Sequence, residues 1–562
     1  MSDNRRVDHA KLFKNDLRRK FLNFLRAQPW AADLIRNTAF LHRIYSKKLI
    51  AGGVTNTAAR PQPYTLWTPT PIDPAPAGVK PSEPPVDYIS WTGLVDRRFT
   101  GRHLPPAPAS YTDRLPDVDR VLALYKRREF IASSNCSALL CFFAQWFTDS
   151  FLRKDYSDER LNTSNQEIDL CEIYGLDAKT TRLLRTVQGG KLKTREGGRF
   201  PERLYDEHGH VKTEFAQLSY VQAAPGGQSL EDRALGTLED ENLRKQRKLA
   251  LYATGLDRGN STIFYTAISS IFIREHNRLC DLLARAHSDW DDDRLFETAR
   301  NINIVTGLNL TINEYINQLS NPPVKLFLDR SFAEDEPWYR QNRIAIEFDL
   351  LYRWHSFVPD VVEVNGHILN HLDYRFNNEL LEEYGAAALI AAASRQPGGQ
   401  IGLYNNPHFL EGAERAAHTF ARNQRLRPFV EYQAAFAQRP VGDFKELAGD
   451  TDLARQLYDL YNGEIRDVEF LVGLFAQQRD LPSVILPLLL RTMVAVDAFS
   501  QILTNPLLSR NVYGPDALSK EGMEVIENTQ SFDDLVKRNL LGEDYPNPAS
   551  FAYDPKAAAS MH

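Results

Sequence analysis

Cysteine is scarce in this chain: four residues, Cys136, Cys141, Cys171 and Cys280, in 562. They form no CxxC pair and no His/Cys metal spacing, so neither a disulfide framework nor a zinc site is expected. Reduced core thiols in a reducing compartment are the expectation instead. Long apolar runs are lacking too. The richest stretch, Leu481 to Met493, is broken by Pro482, Pro487 and Arg491, which excludes a membrane-spanning helix there. The first twenty residues, MSDNRRVDHAKLFKNDLRRK, scatter charge where a secretory signal needs an apolar core and a small-residue cleavage site. A cytoplasmic protein is expected. There is no basic excess either: the formal net charge of −6 argues against nucleic acid as a partner. No internal repeat at a fixed period is found.

What is present describes an ordered globular protein. An apolar share of 43% with 25% charged residues is ordinary for a packed domain and excludes wholesale disorder. The length exceeds that of one compact domain, so a large body with appendages is expected. Residues 1–50 hold twelve Lys and Arg against Asp3, Asp8, Asp16 and Asp33, which leaves the rest of the chain acidic. Within this basic segment Leu12, Phe13, Leu17, Phe21, Leu22, Phe24 and Leu25 recur at helical spacing, and Trp30, Leu34, Ile35, Phe40, Leu41 and Ile44 continue after Pro29. Residues 1–58 are therefore read as basic amphipathic helices. Such helices either lie in the headgroup region of an anionic membrane or dock on the body with a solvated basic face. Nine prolines between Arg60 and Val86 exclude helix and favour an extended strap or linker over 59–86. Residues 87–562 form the body.

Beyond about residue 118 the segments SNCSALLCFFAQWFTDSFLR, STIFYTAISSIFIREHNRLCDLLARA, LFETARNINIVTGLNLTINEYINQL and RIAIEFDLLYRWHSF carry apolar residues at i, i+3, i+4 and i+7. Alternating strands are few, so the fold class is mainly α. The spacing predicts one helix from Arg343 to Phe357, on which Tyr352 and His355 share a face. Taken alone, a histidine on an apolar face is ordinarily a hydrogen-bonded core residue. Gln145 and Asp149, four apart, lie on an otherwise apolar face, where a carboxylate is costly unless paired or protonated. Arg258 precedes an apolar helix, and Glu275-His276-Asn277 sits in a charged helix end where structural ion pairs are common.

Together these pieces resemble a known family. QNRIAIEFDLLYRWHSFVPD (Gln341 to Asp360) resembles the proximal-helix segment of the prostaglandin endoperoxide synthases, the cyclooxygenases of the peroxidase–cyclooxygenase superfamily. DYISW (Asp87 to Trp91) resembles the start of their catalytic domain, and FFAQWFTDSF (Phe142 to Phe151) their distal helix. IYGLDAKTTRLLRTVQGGKLKT (Ile173 to Thr194) and REHNRLCDLL (Arg274 to Leu283) are similar to the segments that follow. The five are collinear over roughly residues 87–540. The resemblance implies a large helical haem peroxidase-like domain carrying haem b. It makes His355 the proximal iron ligand, Tyr352 the radical-forming tyrosine and Gln145 the distal-side glutamine. Arg258 takes the place of the distal arginine of the broader animal haem peroxidases, and Ser500 that of a channel-lining serine. The amphipathic helices occupy the place of the family's membrane-binding helices, which makes peripheral membrane contact an expectation and Arg43, Lys47 and Lys48 candidates for the substrate carboxylate. The growth-factor-like module of the family, with its disulfides, is absent.

One departure bears on function. The family's distal histidine is Asp149 here. A positioned acid–base group is worth about 10²–10⁴-fold, roughly 3–5 kcal/mol of barrier. A peroxidase needs that step at every turnover, whereas an oxygenase with a self-renewing tyrosyl radical needs it only to start. The expectation is therefore a dioxygenase that uses O₂ to convert an unsaturated fatty acid to a hydroperoxide. The alternatives are a peroxidase or peroxygenase with Asp149 as its acid–base group, and a non-catalytic relative that binds haem or lipid.

Overall fold

In the computed structural model, which describes residues 9–55 and 88–555 apart from 89, 156–157, 222–234, 237, 340–342, 450 and 482, the apolar periodicities become helices. The β-structure among the described residues is three two-stranded antiparallel pairs, and the fold is mainly α. At its centre lies the helix Ile263–Ala286, which contains neither Gly nor Pro and starts where the Thr262 side chain accepts the Tyr265 N–H. Its residues from Ile263 to His276 are all buried, as a helix surrounded on every side must be. It packs against the helices Ala138–Thr148, Asp292–Leu310 and Ala386–Ser394. The last of these, AAALIAAAS, has side chains small enough to let the backbones approach closely.

The charged end of the central helix is structural, as its composition suggests. Arg274 donates to Glu543 at 2.6 Å. Glu275 accepts from Arg278, Arg538 and Asn539. Burial alone would raise the Glu275 carboxyl, but these arginines hold it below its usual range. His276 bridges the Tyr174 hydroxyl and the Gly190 carbonyl, and burial depresses it to about 4. The four cysteines are buried and unbridged.

The N-terminal segment forms α1 (His9–Ala27), α2 (Pro29–Asn37) and α3 (Ala39–Thr55), with Pro29 at the first turn of α2, where its missing N–H costs nothing. Leu25, Tyr45, Ile50 and Val54 are buried, and α3 packs on the helix Leu488–Leu503. The outer face keeps its large apolar groups in the open: Phe13, Leu17, Phe21, Phe24, Trp30, Leu34 and Phe40 are 46–70% exposed. No described helix is long and apolar enough to cross a membrane. The proline-rich segment 59–86 lies outside the described residues.

The structure corrects the single helix expected from Arg343 to Phe357. The α-helix covers only Ile346–Leu351. Tyr352 leaves helical geometry (φ −98°, ψ 17°), Trp354 adopts ψ 50°, and a 3₁₀ turn follows at His355–Phe357. Tyr352 and His355 are thus joined by a break and share no continuous helical face. Tertiary partners replace the lost helical bonds: Asn405 donates to the Ser356 carbonyl at 3.2 Å and Arg127 to that of Val358 at 2.8 Å. Pro359 cannot continue a helix in any case.

Candidate active site

The helix Ala138–Thr148 is buried along its whole length except at Gln145. One exposed residue on a buried helix marks an open crevice inside the body. Gln145 donates to Ser261 Oγ at 3.4 Å. Asp149 caps the helix with helical dihedrals, so the four-residue spacing from Gln145 keeps both on one side. Arg258 Nη1 donates to Asp149 Oδ1 at 3.2 Å; the arginine side chain is 42% exposed and that of the aspartate 6%. Asp149 Oδ2 is buried without a hydrogen-bond partner. Burial raises this carboxyl above its ordinary range, while Arg258 and then Arg153 pull it back. Arg153 is in turn held by Asp257 at 2.6 Å. The result is a carboxyl with one oxygen engaged by a cation and the other buried near the Tyr265 hydroxyl.

His355 is built differently. Its Nδ1 meets Glu414 Oε2 at 2.6 Å. Asn406 Nδ2 donates to the same oxygen at 2.6 Å, and His418 Nε2 lies 3.3 Å from the other. Burial would raise Glu414, but the hydrogen bond with His355 and the nearby His418 ring hold it at about 2. With Nδ1 committed, Nε2 is the ring atom left open.

A strand ties the turn carrying His355 to the helix carrying Asp149. Residues Ala132–Ser137, which lead directly into Ala138–Thr148, pair with Pro397–Gly399. That short strand lies against the histidine turn: a Cβ on Gly399 would stand 2.0 Å from the Ser356 carbonyl oxygen, and one on Gly398 2.3 Å from the Phe357 ring.

Tyr352 packs against Trp354 at 4.8 Å and Phe348 at 5.5 Å between ring centroids. Its hydroxyl and that of Tyr315 are both buried and outside hydrogen-bond geometry, yet close enough for each to perturb the other. Burial pushes the Tyr352 phenol above its usual value, so it is neutral at physiological pH. Tyr315 sits on a π-helical turn, Thr311–Ile316, a local irregularity frequent at functional sites. His103 Nε2 and Asp497 Oδ2 form a buried pair at 2.9 Å, with Asp497 near enough to Tyr352 to affect it.

A cavity of about 600 Å³ opens between α1, α3 and the helix Leu488–Leu503, lined in part by Leu22, Leu49, Ile316, Leu326, Val496 and Phe499. It reaches Ile316, the neighbour of Tyr315. Its size is that of a ligand site. The cations on its wall are Arg18, Arg19, Arg26, Arg439 and Arg491. Arg491 pairs with Asp480 at 2.9 Å. Arg18 is held below its usual value by burial and by Arg491, and among the described residues no carboxylate pairs with it.

The residues singled out from the sequence are therefore distributed as follows. Asp149, Arg258 and Gln145 are brought to one crevice, and Tyr352 and His355 to one broken turn. Ser500 is buried and donates to the Val496 carbonyl at 2.6 Å, one residue beyond the cavity wall. Arg43 is engaged by Asp329 and Ser331 at 3.1 and 3.0 Å, Lys47 lies over the Phe332 ring, and Lys48 is exposed. None of these three lines the cavity: α3 turns them away from it and presents Leu49 and Gly53 instead. Sequence reasoning missed Glu414, Tyr315, Arg18, Arg491 and Asp497. Only Asp497 carried a signal, as a lone acid inside LLLRTMVAVDAFSQIL.

A neutral imidazole with Nδ1 bonded to a carboxylate offers Nε2 to a metal, which is the donor that haem iron takes. The residues present fit that group, and fold and site together define a helical haem oxidoreductase. The profile of the animal haem peroxidase family matches residues 129–549, and the chain belongs to that family. It is 31% identical to prostaglandin G/H synthase 1 of Mus musculus over 469 residues, covering 81% of this chain and 73% of that protein. With prostaglandin G/H synthase 2 of Bos taurus it shares 29% over 474 residues, with the same coverage. Among solved structures, the fatty acid alpha-dioxygenase of Arabidopsis thaliana aligns with a TM-score of 0.63 at 17% identity, covering 94% of this chain and 97% of that one. Peroxidase A of Dictyostelium discoideum aligns with a TM-score of 0.57 at 16% identity, covering 81% and 92%. These two likenesses concern the fold.

Proposed function

We propose that the protein is a haem-dependent fatty-acid dioxygenase that forms lipid hydroperoxides through a radical on Tyr352. The observation that carries this reading is the arginine-bearing cavity of about 600 Å³ whose wall includes Ile316, the chain neighbour of Tyr315. Haem b, held by His355 Nε2, would supply the one-electron oxidation of the Tyr352 phenol, with a hydroperoxide as the terminal oxidant that starts the first turnover. Because that phenol is neutral and buried, its proton must leave as the electron does. The tyrosyl oxygen then takes a hydrogen atom from an allylic or bis-allylic carbon, and the phenol is restored. O₂ adds to the carbon radical, and the peroxyl radical takes the hydrogen atom back from Tyr352. The products are a hydroperoxide and a renewed tyrosyl radical, so hydrogen and electrons balance at each turnover. Arg18 and Arg491 are the carboxylate-binding residues this reading favours over Arg43, Lys47 and Lys48. They lie on the cavity wall, remote in sequence from the reacting tyrosine.

The exposed aromatic face of α1–α3 supports peripheral contact with a membrane surface, from which an apolar substrate would enter the adjoining cavity. A second reading has its own support. Asp149, with a raised carboxyl and Arg258 beside it, is suited to move the proton of a peroxide substrate from one oxygen to the other. If that step is fast, the protein is a peroxidase. Oxygen uptake by haem-loaded protein separates the two, measured with unsaturated fatty acids, with palmitic acid, and with a phenol plus peroxide. The dioxygenase reading requires sustained O₂ consumption with an unsaturated acid and none after Tyr352→Phe. Steady phenol oxidation without fatty-acid-dependent uptake sinks it.

A further inference from the structure

We infer that Glu414 is a positioning residue that sets the electron-donating strength of His355 and so keeps the iron oxidised at rest. The inference rests on His355 as the haem ligand. Glu414 stands in the first turn of the helix Glu411–Asn423, where the macrodipole favours a negative charge. It is 1% exposed. Its Oε2 is 2.6 Å from His355 Nδ1 and 2.6 Å from Asn406 Nδ2, and Oε1 is 3.3 Å from His418 Nε2. Asn406 is itself fixed, its N–H donating to the Tyr125 carbonyl and its carbonyl accepting from the Arg127 N–H, each at 2.9 Å. The carboxylate is therefore held at Oε2 by two side chains from two other segments of chain, with the His418 ring packed against its second oxygen.

A hydrogen bond to a full charge is shorter and about twice as strong as one to a neutral acceptor, and it is stronger still away from water. The Nδ1 proton is drawn toward Glu414, electron density on the ring rises, and Nε2 becomes a stronger donor. A stronger donor favours the more positive metal, so the oxidised iron is stabilised relative to the reduced one. That division suits an oxygenase whose O₂ must reach a carbon radical: iron that resists reduction leaves the gas to the substrate. The same contact fixes the ring plane, which the helix break at Tyr352–Trp354 would otherwise leave free.

The test uses the full-length, haem-loaded protein and its Glu414→Gln variant, which keeps the shape and removes the charge. Expected are a retained Soret band and a lower ferrous iron–histidine stretching frequency. The reduction midpoint should rise by about the shift of a tenfold change in the ferric-to-ferrous ratio, ~59 mV for one electron. A variant that holds haem with unchanged stretch and midpoint overturns the inference. Should the variant fail to fold, the unmutated protein decides. Its iron–histidine stretch should exceed that of a simple haem–imidazole complex in water, and an equal or lower value overturns the proposal. Absence of a Soret band in the unmutated protein is a different result, which removes the haem reading itself.

Discussion

Replacing Arg18 by Gln tests the proposed substrate orientation with little else disturbed. Arg18 lies on the cavity wall beside Arg491 and pairs with no carboxylate among the described residues. Removing its charge therefore orphans no protein acid. A hydrogen bond from a charged group to a bound carboxylate contributes about 1.5–3 kcal/mol, which corresponds to roughly 10–150-fold in affinity at about 1.4 kcal/mol per decade. The carboxylate is remote from the carbon attacked, so the contact is equally strong before and during hydrogen transfer. KM should rise by that factor while kcat stays level, the signature of lost uniform binding. The assay is initial O₂ uptake against fatty-acid concentration, repeated with the methyl ester. Unmutated protein should favour the free acid, and the variant should lose most of that preference. Arg491→Gln should raise KM less, because Asp480 already engages that guanidinium, and it should also lower stability by leaving Asp480 unpaired. An unchanged KM for the acid in Arg18→Gln, or an equal loss for acid and ester, refutes the assignment.

Tyr352→Phe should abolish fatty-acid-dependent O₂ uptake while leaving the Soret band intact. Asp149→Asn should slow the peroxide-dependent onset of activity by about 10²–10⁴-fold. In unmutated protein that onset should fade as pH drops through a value above the usual carboxylate range, since burial raises the group and only its ionised form accepts a proton. His276 is depressed to about 4 by burial, so the unfolded chain takes up a proton first as pH falls below about 6.5. Stability should be lost in that window, by about 2 kcal/mol at pH 5. Thermal melts at pH 7 and pH 5 should differ, and His276→Gln should narrow the difference. Sedimentation with phosphatidylserine vesicles should capture the protein, and replacing Trp30 and Phe40 together by Ser should weaken capture at least tenfold. Each large apolar side chain transferred from water is worth about 1.5–3 kcal/mol.

The helical class was legible because long segments such as 263–286 carry an unbroken apolar period. The candidate carboxylate at Asp149 was legible because an acid on an apolar face requires a compensating partner, and Arg258, noted separately, stands 3.2 Å from it. The break at Tyr352 was not, because the carbonyls beyond it are satisfied by Asn405 and Arg127, contacts that no local pattern records. Glu414 lies 59 residues from His355 on an ordinary amphipathic helix, where a buried acid looks like any other. The cavity was hidden for the same reason: Arg18, Ile316 and Arg491 become neighbours only when three distant segments pack. Pattern reads faces of single elements; a site made between elements is decided by tertiary packing.

The glycine pair at 398–399 makes the turn that carries His355 answerable to a neighbouring strand. Only hydrogen atoms fit between that strand and the Ser356 carbonyl or the Phe357 ring. A methyl group at either position would shove the imidazole-bearing turn sideways. Variation in this strand should therefore register as altered iron spectroscopy well before it registers as unfolding, a tuning screw reached from outside the pocket.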